Sequence, residues 1–162
     1  SLSYNKSVYI RLTGGSNLTK VYDRDYNFKI GKAIELIKGN DILIIVSGTI
    51  ISECVDVCEK LKNKGISAAL INMHTIKPLD TKIIDEYINK AKLIVTVEEH
   101  NIFGGLGSAV AEHISKIESS PKQIFYGISD KYTKEGDYNS LKNKHELVST
   151  KIMNRILKNY DK

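Results

Sequence analysis

Two carboxylates and an imidazole stand side by side at Glu98, Glu99 and His100, followed by Asn101 and the run Gly104-Gly105-Leu106-Gly107-Ser108. A carboxylate can orient a neighbouring imidazole, and a carboxyl in an apolar setting has a raised pKa. Both are tools of acid–base chemistry. Adjacent residues of a strand point to opposite faces, so regular structure cannot converge all three. The same residues would equally serve as loop-fixing hydrogen bonds and interface contacts. The glycine run offers a second chemistry, because free N–H groups at a helix start can hold an anion. A dinucleotide fingerprint starting at Gly105 requires Gly or Ala at 110, where Val110 stands, and no G-x-x-x-x-G-K-S/T loop occurs. Alternatively the glycines let loop and helix pack closely on a sheet.

The remaining reactive side chains read as structural. His74 ends a strand-like run without carboxylates nearby in sequence, His113 lies beside Val110 on a helix, and His145 sits in a polar stretch. The 4 histidines show no H-x-H or H-E-x-x-H metal spacing. Cys54 and Cys58 lie one turn apart on an apolar stripe, where free cysteine behaves as a small hydrophobe. There is no C-x-x-C pair and no G-x-S-x-G elbow.

These residues belong to a chain of 162 residues, 41% hydrophobic and 27% charged, with 11 Gly and 2 Pro. Such a chain forms one domain plus a tail, taking about 150 residues per domain. Disordered, collagen-like and disulfide-stapled classes are excluded. The 2 cysteines, without a framework, fit a reducing cytoplasm. The longest aliphatic run, Ile42 to Val46, is far short of the about 20 residues that cross a bilayer. Net charge is +5, from 24 basic and 19 acidic residues. Only Arg11, Arg24 and Arg155 are arginines, and the lysines are scattered, which argues against nucleic-acid binding.

The elements that must position the candidates alternate regularly. Val8–Leu12 is strand-like, followed by a turn-rich break and a polar linker to residue 27. A lone strand cannot pair with itself, so this run belongs to another sheet edge or another domain. Phe28–Ile37 reads as a strand, and Asp41–Val46 as a strand buried on both faces. Ile50–Lys64 is a helix closed by Gly65, and Ile66–Met73 is a strand. A helix follows Pro78 with Asp80 as N-cap. Leu93–Val97 is a strand, 108–117 a helix, and 123–128 the last strand. Residues 129–146 are polar, and the final helix carries Ile152, Met153, Ile156, Leu157 and Tyr160. The pattern predicts a parallel α/β layer sandwich with right-handed crossovers. Ligands of such sheets sit beyond the carboxyl ends of the strands, which is where residues 47–49, 74–77 and 98–101 fall.

From Ile71 to Asp80 (INMHTIKPLD) and from Lys92 to Glu112 (KLIVTVEEHNIFGGLGSAVAE), the chain closely resembles the C-terminal domain of transketolase-like thiamine-diphosphate enzymes. Phe28–Ala33, Ile45–Thr49 and Gly136-Asp137-Tyr138 fit the same pattern, so the resemblance covers about residues 7–162. It is similar above all to the C-terminal section of split transketolases. Deoxyxylulose-phosphate synthase and the β subunits of 2-oxoacid dehydrogenases share the domain with looser matches.

The resemblance implies a three-layer αβα sandwich whose five-stranded, mostly parallel sheet has one antiparallel strand, Phe28–Ile37. It implies residues 1–27 as the stub of a preceding pyrimidine-binding domain and linker, and 28–162 as the C-terminal domain. Thiamine diphosphate and magnesium would be held by the amino-terminal and middle domains, on the same polypeptide or a separate subunit, and not by this chain. The chain alone is then inactive. The full enzyme, a cytoplasmic homodimer, would transfer a two-carbon ketol unit between sugars. No catalytic residue is implied here. The resemblance makes Glu99, His100, Asn101, Gly104 and Gly105 candidates for bordering the substrate channel or an interface. A fragment of deoxyxylulose-phosphate synthase or of a 2-oxoacid dehydrogenase β subunit is the alternative, as is a stand-alone anion-binding regulatory module. There is one departure. Where relatives carry a phosphate-gripping Arg after the middle domain's last strand, this chain has Gly14. The loss of that fork costs roughly 1.5–3 kcal/mol of phosphate affinity, and points to a specialised sugar acceptor.

Overall fold

Ile42, Leu43, Ile44, Ile45 and Val46 are all fully buried, because the strand they form lies in the middle of a sheet covered on both faces. A computed structural model describes residues 5–11, 20–22 and 25–160. In chain order the elements are β1 (Ile34–Ile37), β2 (Ile42–Ser47), α1 (Ile51–Lys62), β3 (Ala68–Asn72), α2 (Thr81–Ile88), β4 (Leu93–Asn101), α3 (Leu106–Ile114), β5 (Lys122–Ile128), α4 (Tyr138–Lys144) and α5 (Ser149–Tyr160). The sheet order is β1-β3-β2-β4-β5. β1 runs antiparallel to β3, and the other pairs are parallel. The predicted sandwich, with its one antiparallel strand at the amino-terminal end, is the observed fold.

The period-2 alternation of the strands divides the core. Ile42, Ile44, Val46, Leu70, Val95 and their neighbours face α1 and α5. Leu43, Ile45, Ile71 and Ile94 face α2 and α3. Each fully buried Leu or Ile side chain stabilises the fold by about 1.5–3 kcal/mol before entropy is counted. α1 ends as expected: Gly65 takes φ +77°, and the Ile66 N–H donates to the Leu61 carbonyl at 3.1 Å.

Several expectations change. The antiparallel strand is only Ile34–Ile37. Residues 29–32 form a turn, with the Lys32 N–H on the Lys29 carbonyl, and the Ala33 N–H donates to the Asp80 carboxylate at 3.0 Å. Asp80 does precede α2, but its side chain makes no cap there because it holds Ala33. The run from Val8 forms no strand over its described residues. Val8, Tyr9 and Ile10 are exposed and find no partner edge, and Leu12 lies outside the described residues. The polar stretch 129–146 contains α4, capped by Asp137, whose carboxylate accepts the N–H groups of Asn139 and Ser140 at 3.1 Å each. Finally, β4 runs on to Asn101, because Asn101 pairs with Ile128 and the Ile102 N–H reaches the Ile128 carbonyl at 3.0 Å.

Cys54 and Cys58 are in the core, as their spacing suggests. Burial pushes the Cys58 thiol up to about 12 and the Cys54 thiol well above its usual value. Thiolate is the reactive form, so both should be inert to a disulfide reagent at about pH 8 in the native protein and react fully after urea unfolding. Rapid native labelling would show that the α1 face opens.

Candidate functional site

β2 leads into α1 on one face of the sheet, and its neighbour β4 leads into α3 on the other. Their carboxyl ends therefore flank the crevice where an open α/β sheet ordinarily receives a ligand. Glu98 and Glu99 stand at this point on consecutive β4 positions, and the pleat sends them to opposite sides.

Glu98, 3% exposed, turns towards α3. Its Oε2 accepts the Leu106 N–H at 2.7 Å, and its Oε1 accepts the Gly107 N–H at 2.8 Å. The carboxylate is thus the anion at the positive end of α3. This also explains why α3 begins at Leu106, two residues before the expected start at 108. Glu99 turns to the α1 side. Its Oε2 accepts from the Thr49 hydroxyl and from the Ile50 N–H, the latter at 3.1 Å. Its Oε1 accepts the Tyr138 hydroxyl at 2.5 Å. Partial burial, then the bond to Glu99, raises the Tyr138 hydroxyl above the ordinary tyrosine value. Lys142, in the same short helix, pairs with Glu53 of α1 at 2.7 Å. Glu99 therefore gathers the β2 turn, β4 and α4.

The glycines fit these contacts. A Cβ on Gly105 would overlap the Glu98 carboxylate and lie 3.0 Å from His100 Nδ1. Gly104 is exposed, takes φ +75°, and gives its N–H to Ser108 Oγ at 2.9 Å. Close packing is the role of the loop. The two N–H groups that an external anion would need at α3 already serve Glu98, which removes the basis for the stand-alone anion-binding module.

His100 is exposed, and its Nδ1 lies 2.9 Å from the Asn101 carbonyl oxygen. Glu98 is 4.0 Å away, so the backbone rather than the carboxylate orients the ring. A carbonyl only accepts, so Nδ1 carries a proton, and Nε2 is left without a partner. Both polar atoms of the Asn101 side chain are engaged: its Nδ2 donates to Asp130 at 2.8 Å, and its Oδ1 accepts the Phe103 N–H at 2.9 Å. Of the five candidates, His100 alone presents an uncommitted side-chain atom outward. Glu99, Asn101, Gly104 and Gly105 build the platform beneath it.

Three contributors were not singled out as site residues from the sequence: Thr49, Tyr138 and Asp130. They meet β4 from 50, 39 and 29 residues away, and local spacing carries no signal for that. His74 is structural, with Nδ1 beside Thr75 Oγ1 at 3.0 Å and its ring against Phe28. His113 pairs through Nε2 with Asp85 at 2.7 Å, tying α3 to α2. Among the described residues no three metal-ligating side chains converge, and no helix is long and apolar enough to cross a membrane.

Glu98→Gln leaves one α3 N–H facing an amide donor, and should cost about 1.5–3 kcal/mol. Gly105→Ala should cost a similar amount by evicting the carboxylate. Because both remove one interaction, the double variant should lose far less than the sum in urea unfolding. Additive losses would show that Gly105 and Glu98 act independently.

The family model described as "Transketolase, C-terminal domain" matches residues 31–144. The chain is 35% identical over 158 residues to one subunit of the apulose-4-phosphate transketolase of Actinobacillus succinogenes, covering 97% of this chain and 50% of that one. It is 36% identical over 137 residues to the 1-deoxy-D-xylulose-5-phosphate synthase of Caldanaerobacter subterraneus, covering 85% of this chain and 22% of that one. The chain thus spans half the length of the first relative and less of the second. A solved split-gene transketolase, described as an inactive beta4 tetramer, is similar with a TM-score of 0.83 and 28% identity, over 90% of this chain and 48% of that one. Transketolase from Campylobacter jejuni shares the fold, with a TM-score of 0.59 at 17% identity, over 79% of this chain and 18% of that one. With its sheet order, its one antiparallel strand and most of its length inside the family match, the chain belongs to the transketolase C-terminal domain family.

Proposed function

We propose that this chain is the non-cofactor-binding third domain of a transferase that moves a two-carbon ketol unit between sugars. Residues 28–162 form that domain, and residues 1–27 are the end of the preceding one with its linker. Thiamine diphosphate and magnesium are held by the amino-terminal and middle domains, in the same polypeptide or a partner subunit of a cytoplasmic, homodimeric enzyme. The observation that carries the reading is the self-occupied crevice between β2 and β4. The N–H groups of Leu106 and Gly107 serve Glu98, and the Ile50 N–H serves Glu99. The donors that would cradle a diphosphate are spent inside the fold, so the residues here do not fit the cofactor.

What remains for function is the surface above this platform. His100 projects its Nε2 from a rigid strand end, suited to a hydroxyl of a sugar passing along the domain or to a polar group on the neighbouring domain. The named substrate of the A. succinogenes relative, apulose 4-phosphate, supports a specialised sugar substrate. Gly14, the position that prompted that idea, lies outside the described residues. The similarity to 1-deoxy-D-xylulose-5-phosphate synthase favours one second reading, in which the same domain serves that synthase.

Calorimetry of the chain with thiamine diphosphate and magnesium should show no binding; a micromolar dissociation constant would overturn the proposal. Reconstituted with its amino-terminal half, the enzyme should transfer ketol units between sugar phosphates. His100→Ala should lower kcat/KM roughly tenfold, the scale of one lost contact of about 1.4 kcal/mol, without changing cofactor affinity. Formation of deoxyxylulose 5-phosphate without ketol transfer would select the synthase reading.

A further inference from the structure

β5 is the edge strand of the sheet, with β4 on one side. A groove of about 670 Å³ follows its free edge. The walls of that groove come from both faces of the sheet. Ile124 and Arg155 belong to the α5 side, where the Arg155 guanidinium lies over the Tyr126 ring at 4.7 Å. Gln123, Phe125 and Glu112 belong to the α3 side, where Phe125 abuts Gly107. At one end Phe103 is 65% exposed.

One charged group in this groove is unpaired. Arg155 has no carboxylate partner among the described residues.

We propose that the free edge of β5 is a docking groove for an extended segment of another polypeptide, added as a sixth strand with an acidic side chain on Arg155 and apolar side chains on Phe103 and Phe125. Side chains of an added strand alternate between the two faces, as the walls of this groove do. A compact ligand would lie on one face and leave the other wall empty. Glu112 rejects an acidic residue on the α3 side, so the acid is directed to the α5 side and sets the register. The backbone of the added strand pairs with the N–H and C=O groups that β5 leaves free on the side away from β4. A second copy of this chain is a poorer occupant: its exposed Ser7–Arg11 run and β5 carry no acid, and in its exposed 131–136 run Glu135 comes with Lys131 and Lys134, which Arg155 would oppose.

The test is amide NMR of the full chain with a capped hexapeptide in which serine, glutamate and serine alternate with three valines. Shifts should concentrate on 122–128 and on residues 102, 103 and 112. Replacing the glutamate with lysine should weaken binding about fivefold, as expected for a partly exposed ion pair. Arg155→Glu, at an exposed position, should reverse that preference. Any of four results would overturn the proposal: no shifts at about 10 mM peptide, well above a Kd of about 1 mM; shifts centred elsewhere; equal binding of the glutamate and lysine peptides; or sedimentation showing that the groove is filled by a second copy.

Discussion

The carboxyl end of this sheet rests on two neighbouring carboxylates that the pleat of one strand sends apart. Glu98 seats the first turn of α3 on one face, and Glu99 seats the turn before α1 on the other. Each meets backbone donors at a helix entrance, where a negative charge is favoured and where unsatisfied N–H groups are costly. The remaining features follow from these two contacts. Gly105 must lack a side chain because the Glu98 carboxylate occupies that space, and α4 lies where Tyr138 can reach Glu99.

This arrangement gives a physical account of how a transketolase C-terminal domain closes the carboxyl end of its own sheet. The layer architecture supplies the crevice that other α/β proteins give to a diphosphate. Here the crevice is filled by the chain's own side chains, and it therefore acts as a rigid support. A side chain such as His100 is positioned only as well as the strand end beneath it. His100 and Arg155, by contrast, lie exposed at the periphery, the one at the end of β4 and the other beside β5.

Legibility differed between the middle and the end of the sheet. The run Ile42–Val46 announced a central strand, since only a strand covered on both faces is continuously aliphatic. The stripe through Cys54 and Cys58 announced α1 and its buried face. The 28–33 segment alternated like a strand yet holds a turn at 29–32, and the Ala33 N–H is taken by the Asp80 carboxylate, 47 residues away. α4 was hidden for a related reason. None of its residues is buried, so it carries no apolar stripe, and long-range bonds to Glu99 and Glu53 hold it.

The amino-acid order by itself determined the layers, the alternation of strand and helix, and the divergence of Glu98 from Glu99, because period, hydrophobicity and the two-residue pleat are local properties. The resemblance carried by Ile71–Asp80 and Lys92–Glu112 determined the family. Tertiary structure alone decided which of Glu99, His100, Asn101, Gly104 and Gly105 remained available, because availability depends on what else arrives. Tyr138 and Thr49 claim Glu99, Asp130 and the Phe103 N–H claim Asn101, and Glu98 and His100 fill the space above Gly105. Those partners are brought together only when the parallel strands align their carboxyl ends, and His100 keeps a free nitrogen because the ring is turned by a backbone carbonyl rather than by an acid.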